Sequence, residues 1–321
     1  MIVTLTPNPS IDQTLSLGEE LGRGTVQRLS KVTSVAGGKG VNVSHVAKLA
    51  NVDTVALFPA QAGDPFVGLV EEDGIPYKAT LQTGLVRTNV TITEPDGTTT
   101  KLNGPGHELD EAAQEDLLAQ LLEAAKNASW VVLAGSLPPG LPTDWYSTAV
   151  AALREAYPEL PIAVDTSDAP LIALGENLDK VGPTIMKPNG LELGQLVGLD
   201  GAELEAEAEK GNYTPVLEAA KPLLTKKVDE LLVTLGGAGA VLVTKEGSWI
   251  ANPAPITVVS TVGAGDCTLA GYVLGRARGL DHADALAQAV GYGSAAASLP
   301  GTTIPTPDII NAAGATVRSL A

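Results

Sequence analysis

The 321-residue sequence has one cysteine, three histidines, and 20 lysines and arginines against 37 aspartates and glutamates. A single thiol, Cys267, excludes an intrachain disulfide and any multi-cysteine zinc site. His45, His107 and His282 lie far apart and offer no metal-ligand spacing. The formal charge of −17 repels phosphate backbones and anionic lipid at long range, which argues against nucleic acid or a membrane surface as partner. A local basic pocket for a small anion remains compatible with it. No apolar stretch approaches the ~18 residues of a membrane span. The opening MIVTLTPNPSID lacks the basic region and long apolar run of a signal peptide, so the chain reads as soluble and cytosolic.

What is present suffices for a large core. Hydrophobic residues make up 44% and charged residues 18%, and at roughly 150 residues per domain the length allows one large domain or two unequal ones. Short β-branched runs at Ile2–Thr6, Asp53–Phe58, Trp130–Leu133, Ile162–Asp165, Thr184–Lys187 and Glu230–Leu235 read as strands, several apolar enough to be covered on both faces. Helical patterns at Gly40–Ala50, Asp110–Asn127, Thr143–Tyr157, Leu191–Val197 and Tyr213–Lys226 lie between them. This alternation predicts an α/β fold, a doubly wound, mostly parallel sheet flanked by helices.

Residues 11–35 and 86–104 break the rhythm with alternating patterns and no intervening helix. Glu94-Pro-Asp-Gly97 between two such runs is a hairpin signal. These segments read as a small β-sheet inserted twice, a lid or dimer surface, with 1–10, 36–85 and 105–321 forming a discontinuous core. The acidic stretch Gly201–Lys210 reads as a solvated surface excursion.

Glycine motifs separate by their spacing. Gly37-Gly-Lys-Gly40 has no hydroxyl residue after its lysine, so it is not a P-loop. The dinucleotide fingerprint fails at Gly263-Ala-Gly265, and its relaxed match at Gly291–Ala296 falls inside an alanine-rich helical run rather than after a strand. The informative stretch is Ser260–Gly271, which follows the β-branched run Ile256–Val259 and opens a helical pattern. Small residues Gly263, Ala264 and Gly265 let backbone amides converge at a helix N-terminus, an anion hole suited to a phosphoryl group in transit. Asp266 in the first turn is placed to accept a proton from an attacking hydroxyl. Cys267 reads as a small helix residue rather than a reactive thiol.

Gly37–Val43, Lys187-Pro-Asn-Gly-Leu-Glu192 and Ser260–Gly271, taken together in this order, resemble the signatures of the ribokinase/PfkB carbohydrate kinases, over about Met1 to Thr306. The resemblance implies a ribokinase-like fold and Mg²⁺-ATP-dependent transfer of a phosphoryl group to a sugar hydroxyl. It makes Asp266 the base and the amides of Gly263, Ala264 and Gly265 the hole. Lys187, Asn189 and Glu192 are implied at the ATP phosphates, with Asn189 and Glu192 organising Mg²⁺ partly through water. Thr234, Gly236 and Gly239 are implied beside the nucleotide. On the acceptor side the resemblance brings Asp12, Gly38, Lys39, Asn42, Arg87, Lys101 and Ser136, with Arg87 and Lys39 able to bind a phosphate already on the sugar.

Ser260, the Gly135-Ser-Leu-Pro-Pro-Gly140 stretch and Lys39 in the first glycine run lean toward the phosphosugar branch, and Arg87–Gly97 with Thr100-Lys-Leu-Asn103 looks most like the 1-phosphofructokinases, which implies phosphorylation of fructose 1-phosphate. Tagatose-6-phosphate kinase and the minor 6-phosphofructokinase share nearly all of these residues, so the choice of phosphosugar stays open. A non-catalytic sugar-phosphate sensor is the alternative of another class, although such a protein would be expected to lose Asp266 or its glycines. Family likeness also implies a homodimer through the lid, and a K⁺-type site from backbone atoms of Ser294–Thr303 near Ser260 and Val262. Thr303 stands where some phosphosugar relatives carry arginine.

Overall fold

In a computed structural model, described here for residues 1–311 and 314–320, the chain forms two sheets. The expected core segment 105–321 therefore includes three residues, 312, 313 and 321, outside the described ones. The strands are β1 (Ile2–Leu5), β2 (Ser10–Leu17), β3 (Leu29–Gly37), β4 (Thr54–Pro59), β5 (Tyr77–Thr80), β6 (Arg87–Thr93), β7 (Thr99–Leu102), β8 (Trp130–Ala134), β9 (Ile162–Asp165), β10 (Ile185–Met186), β11 (Glu230–Thr234), β12 (Ala240–Thr244), β13 (Ser248–Asn252) and β14 (Thr316–Leu320). The large sheet runs β14-β13-β12-β11-β10-β9-β8-β1-β4-β5. From β11 to β5 it is parallel, and β12, β13 and β14 add an antiparallel edge.

Ten helices are seen among the described residues: α1 (Lys39–Leu49), α2 (Pro65–Glu72), α3 (Glu111–Ala125), α4 (Trp145–Ala156), α5 (Asp168–Asn177), α6 (Gly190–Val197), α7 (Gly201–Glu209), α8 (Thr214–Ala220), α9 (Ala264–Ala277) and α10 (His282–Ala297). Alternation along the strands splits the core between the sheet's two faces. Val131 and Leu133 of β8 join a cluster with α3 to α8, whereas Trp130, Val132 and Ala134 join one with α1, α9 and α10. Local chemistry starts many of the helices. Asp110 accepts from the Ala113 amide at 2.9 Å and Asp281 from that of Asp284 at 2.8 Å, each satisfying a donor that the first turn leaves unpaired. None of these helices is long and apolar enough to cross a membrane.

The small sheet has the order β3-β2-β6-β7. Its hairpin closes where Glu94-Pro-Asp-Gly97 predicts, with the Glu94 amide donating to Thr98. β2 and β6 pair in parallel, setting Ser10 opposite Arg87 and Asp12 opposite Asn89. The two inserted segments are thereby joined into one surface.

Two expectations need correction. Tyr213–Lys226 is not one helix: α8 ends at Ala220 and a 3₁₀ turn runs over Lys221–Thr225, because Pro222 supplies no amide to continue the ladder. Gly201–Lys210 is not a bare surface excursion but helix α7, capped by Asp200, with Gly201, Leu204 and Ala208 buried. Its acids occupy the outer face of an amphipathic turn.

Helix α7 backs directly onto α6, the helix that begins at Asn189. A Cβ on Gly201 would stand 2.5 Å from Leu191 Cα and 2.7 Å from the Gly190 carbonyl, both backbone atoms that cannot swing aside. Gly201→Ala is therefore expected to lower unfolding stability by about 1–3 kcal/mol, the usual cost of overpacking. Urea denaturation at neutral pH checks this, and an unchanged midpoint would show that α7 can shift freely.

Candidate active site

Helix α9 begins at Gly263, whose φ of 79° is left-handed and thus suits glycine. The turn aims the first amides of α9 into a cavity of about 610 Å³ that Ala264, Gly265 and Asp266 line. Asp266 is buried in the first turn and accepts a 2.7 Å hydrogen bond from Asn42 Nδ2 on α1. Burial pushes its carboxyl above the ordinary aspartate range; the charge of Lys39 pulls against that rise, and Asp165 adds to it. Cys267, next in sequence, is fully buried and its thiol is pushed up by burial, in keeping with a packing role.

Behind this corner lies a residue not singled out in the sequence. Asp165 ends β9, its side chain wholly buried, with Lys39 Nζ at 2.7 Å from one oxygen and Lys187 Nζ at 3.2 Å from the other. Burial alone would raise the Asp165 carboxyl, but Lys187 and Lys39 outweigh it and hold it low. The converse applies to Lys39: burial works to discharge it, and Asp165 and Asp266 more than restore the charge. Lys187 is itself buried, and its Nζ lies 3.4 Å from where a Cβ on Gly265 would stand. An acid closing the apolar run Ile162–Asp165, at the sheet edge where open sheets bind ligands, was the available signal.

Lys187-Pro-Asn-Gly-Leu-Glu192 turns from β10 into α6 through a reciprocal cap. Asn189 Oδ1 accepts from the Glu192 amide and Glu192 Oε2 from the Asn189 amide, both at 2.8 Å. The i, i+3 spacing is thus explained by helix initiation, while both side chains also line the cavity. Burial raises the Glu192 carboxyl, opposed chiefly by Lys187. Thr234 bridges to Asn189 and leads into the turn Gly236–Gly239; Thr234, Gly236 and Gly239 line the same cavity.

Beneath the small sheet stands a second group. Asp12 Oδ1 accepts from Ser10 Oγ at 2.7 Å and from Asn89 Nδ2 at 3.1 Å. Its carboxyl is raised by burial, against the pull of these bonds and of Arg87 and Lys101. Arg87 donates to the Gly104 carbonyl at 2.7 Å, the Asn8 carbonyl at 3.1 Å and Ser136 Oγ at 3.2 Å. Its Nε is buried without a partner. Ser136 also accepts from Asn8 Nδ2 at 3.3 Å. Lys101 is exposed on β7, and Gly38 caps α1 immediately before Lys39. The structure therefore gathers Asp12, Arg87 and Ser136 into one group beside the small sheet. It sets Asn42 against Asp266 and Lys39 against Asp165 rather than in open solvent. Asn8 and Asn89 join them unforeseen, through contacts 128 and 77 residues apart.

The chain matches the family model described as pfkB family carbohydrate kinase over residues 6–309. It is 33% identical over 307 residues to a protein of Haloferax volcanii named 1-phosphofructokinase, covering 95% of this chain and 93% of that one. It is 31% identical over 306 residues to ATP-dependent 6-phosphofructokinase isozyme 2 of Mycobacterium tuberculosis, covering 94% and 85%. Phosphofructokinase-2 of Escherichia coli, solved with substrates and products, superposes with a TM-score of 0.83 at 26% identity, covering 96% of each chain. That protein has also been solved with potassium and as a tetrameric inhibited form.

Removing one member of a buried ionic group strands the others. Asp165→Ala leaves Lys187 buried without its ion-pair partner, and is expected to cost about 3–5 kcal/mol of unfolding free energy. Chemical denaturation measures it. A loss below about 1 kcal/mol, the range of exposed pairs, would mean that the lysines escape to solvent without Asp165.

Proposed function

The chain belongs to the pfkB family of carbohydrate kinases, and from that premise, as an ATP-dependent sugar-phosphate kinase, we propose that its acceptor is fructose 1-phosphate and its general base Asp266. The product is fructose 1,6-bisphosphate. One observation carries the reading: a buried carboxylate, fixed by Asn42, stands beside glycine-opened amides at the mouth of a helix, in a cavity that Lys187 also lines. The cavity lies within the ~300–1,000 Å³ range of ligand pockets.

In this reading ATP occupies the cavity beside Thr234, Gly236 and Gly239, its phosphates toward Lys187 and the start of α9. Asp266 takes the proton of the C6 hydroxyl as that oxygen bonds to the γ-phosphorus and the bond to the β,γ-bridging oxygen breaks. The amides of Gly263, Ala264 and Gly265 meet the charge on the migrating group, which is most of what phosphoryl transfer asks of a protein. Asn42 holds the Asp266 carboxylate in one orientation, so its part is on the base more than on the sugar. Asp12 and Gly38 face the sugar hydroxyls. Arg87, Lys39 and Ser136 receive the phosphate at C1, with Lys101 at the rim. The unpartnered Nε of Arg87 suits an anion that has yet to arrive.

Two carboxylates and an amide, Glu192, Asp266 and Asn189, line the cavity, and no group of three or more potential ligands able to hold a metal is found among the described residues. This donor set fits Mg²⁺, which keeps several waters and needs one or two carboxylates besides phosphates. Asn189 and Glu192 would hold it through water, and when bound it neutralises charge on the phosphates. The amides of Val259 and Ser260 donate to the Ala297 carbonyl at 2.9 and 3.2 Å. That contact only brings together the two segments of the proposed K⁺-type site, whose ligands would be main-chain oxygens other than the engaged Ala297 carbonyl.

The small sheet, residues 11–35 and 86–104, is read as a lid over the acceptor that excludes water. The rest of the chain, 1–10, 36–85 and 105–321, forms the core. Leu29, Val32 and Leu102 on the lid are exposed, which supports a homodimer through this face, read by its mass in solution.

The test is ADP release with fructose 1-phosphate, fructose 6-phosphate and tagatose 6-phosphate measured side by side. The highest kcat/KM is expected with fructose 1-phosphate; another winner corrects the acceptor, and sugar-phosphate binding without ADP makes the protein a sensor. Asp266→Asn is expected to lower kcat by about 10²–10⁴ with ATP binding kept. Because folding raises this carboxyl, its charged form costs stability at neutral pH, a cost that fades as pH falls through the raised value. The amide variant should therefore melt no lower than wild type at pH 7. The acid limb of kcat/KM should lie above the ordinary aspartate value of about 4. Asn42→Ala removes a donor to the ionised form and should move that limb to still higher pH. A limb that stays in place would separate the limb from Asp266.

A further inference from the structure

The glycine turn on the cavity wall is held from behind by residues that do not line the cavity. Leu235 donates to the Gly239 carbonyl at 2.8 Å, and Ala238 donates back to Leu235 at 3.0 Å. The Ala238 carbonyl, at the centre of the turn, accepts from Asn252 Nδ2 at 2.8 Å and from Tyr213 Oη at 3.2 Å. Asn252 Nδ2 also donates to Tyr213 Oη at 2.7 Å, which closes a three-membered polar ring. Tyr213 is buried at the start of α8, and Asn252 is the last residue of β13. Arg318 of β14 covers the Tyr213 ring, its guanidinium carbon 5.5 Å from the ring centroid. Two elements distant in sequence therefore converge on one peptide carbonyl, and a third backs the tyrosine.

We propose that Tyr213 and Asn252 are positioning residues for the nucleotide, fixing the Gly236–Gly239 turn in its binding shape before ATP arrives, with Arg318 securing the tyrosine ring. The proposal rests on the reading of the cavity as the ATP site. A segment with three glycines in four residues has a large conformational entropy to lose. Any part of that loss left until binding weakens affinity, and rigidifying the turn beforehand removes it. The polar ring supplies that rigidity from outside. An apolar contact could hold the tyrosine ring equally well, but only the hydroxyl and the amide fix the rotation of the 238–239 peptide.

Tyr213→Phe keeps the packing and removes the hydroxyl; Asn252→Ala removes the second donor. Calorimetric titration with ADP and steady-state kinetics with both substrates, alongside thermal melts, test the idea. The ADP Kd and the KM for ATP are expected to rise about 3- to 10-fold in Tyr213→Phe, the scale of one hydrogen bond, and at least as much in Asn252→Ala. The KM for the sugar phosphate is expected to stay at its wild-type value. A milder loss of nucleotide affinity alone is expected in Arg318→Gln, whose site is on the surface strand. Variants that melt earlier yet bind ADP as wild type does would overturn the positioning role and leave only a structural one, as would a parallel rise in both KM values. Wild-type protein that binds no ADP would overturn the ATP-site reading and the positioning role together.

Discussion

Everything around the cavity depends on one buried carboxylate being neutralised. Asp165 has no solvent of its own, and an ion in such a place is tolerated only when paired. Lys39 approaches from the start of α1 and Lys187 from the end of β10, so the need of one acid fixes two cations that arrive on separate elements. The same arrangement sets the field at Asp266, where Lys39 restrains a carboxyl that burial and Asp165 push upward. Lysines held this way are in place before any phosphate arrives. Preorganisation of charge is where much of the catalytic strength of such sites originates.

The fold was largely legible because its signals are local. Ile162–Asp165 is a strand to the residue, and Trp130, Asp53 and Glu230 each open strands within a residue of the apolar pattern. The antiparallel edge β12 to β14 was not read, since a short apolar run such as Ala240–Thr244 does not announce its direction. Helices α2 and α5 were also missed: each carries a proline, and α5 opens on Asp168 with a positive φ. At the site, Asn189 and Glu192 stand three apart and could be paired from sequence. Asn42 with Asp266 could not, nor could Lys39 with Asp165, because those contacts span 224 and 126 residues. Such pairs exist only once the sheet has assembled.

The far end of α9 shows how the sheet holds its working end still. Tyr272, two turns along from Asp266, donates to Glu230 at 2.7 Å, and His282 of α10 meets the same carboxylate at 3.1 Å. Glu230 is buried at the start of β11, whose other end, Thr234, leads into the glycine turn. One strand therefore ties down the helix that carries Asp266 at one end and presents the wall of the cavity at the other. A shift of α9 along its axis would break the Tyr272 bond and misplace the first-turn amides together.

The acceptor side obeys a different constraint. Asp12 and Arg87 belong to segments about 75 residues apart that meet only through the parallel pairing of β2 with β6. Parallel neighbours need a long connection, and here that connection is core: α1, β4, α2 and β5 lie between them. The β2–β6 register therefore depends on that intervening core, whereas the antiparallel pairs β2–β3 and β6–β7 are local. Once formed, it carries Asp12 and Asn89 as a facing pair, beside Ser10 and Arg87. Since Arg87 also reaches the carbonyls of Asn8 and Gly104 and the hydroxyl of Ser136, displacing the sheet must break these contacts. The position of the small sheet and the geometry of Arg87 are then coupled, because the side chain that lies in this group is also the seam between the two sheets.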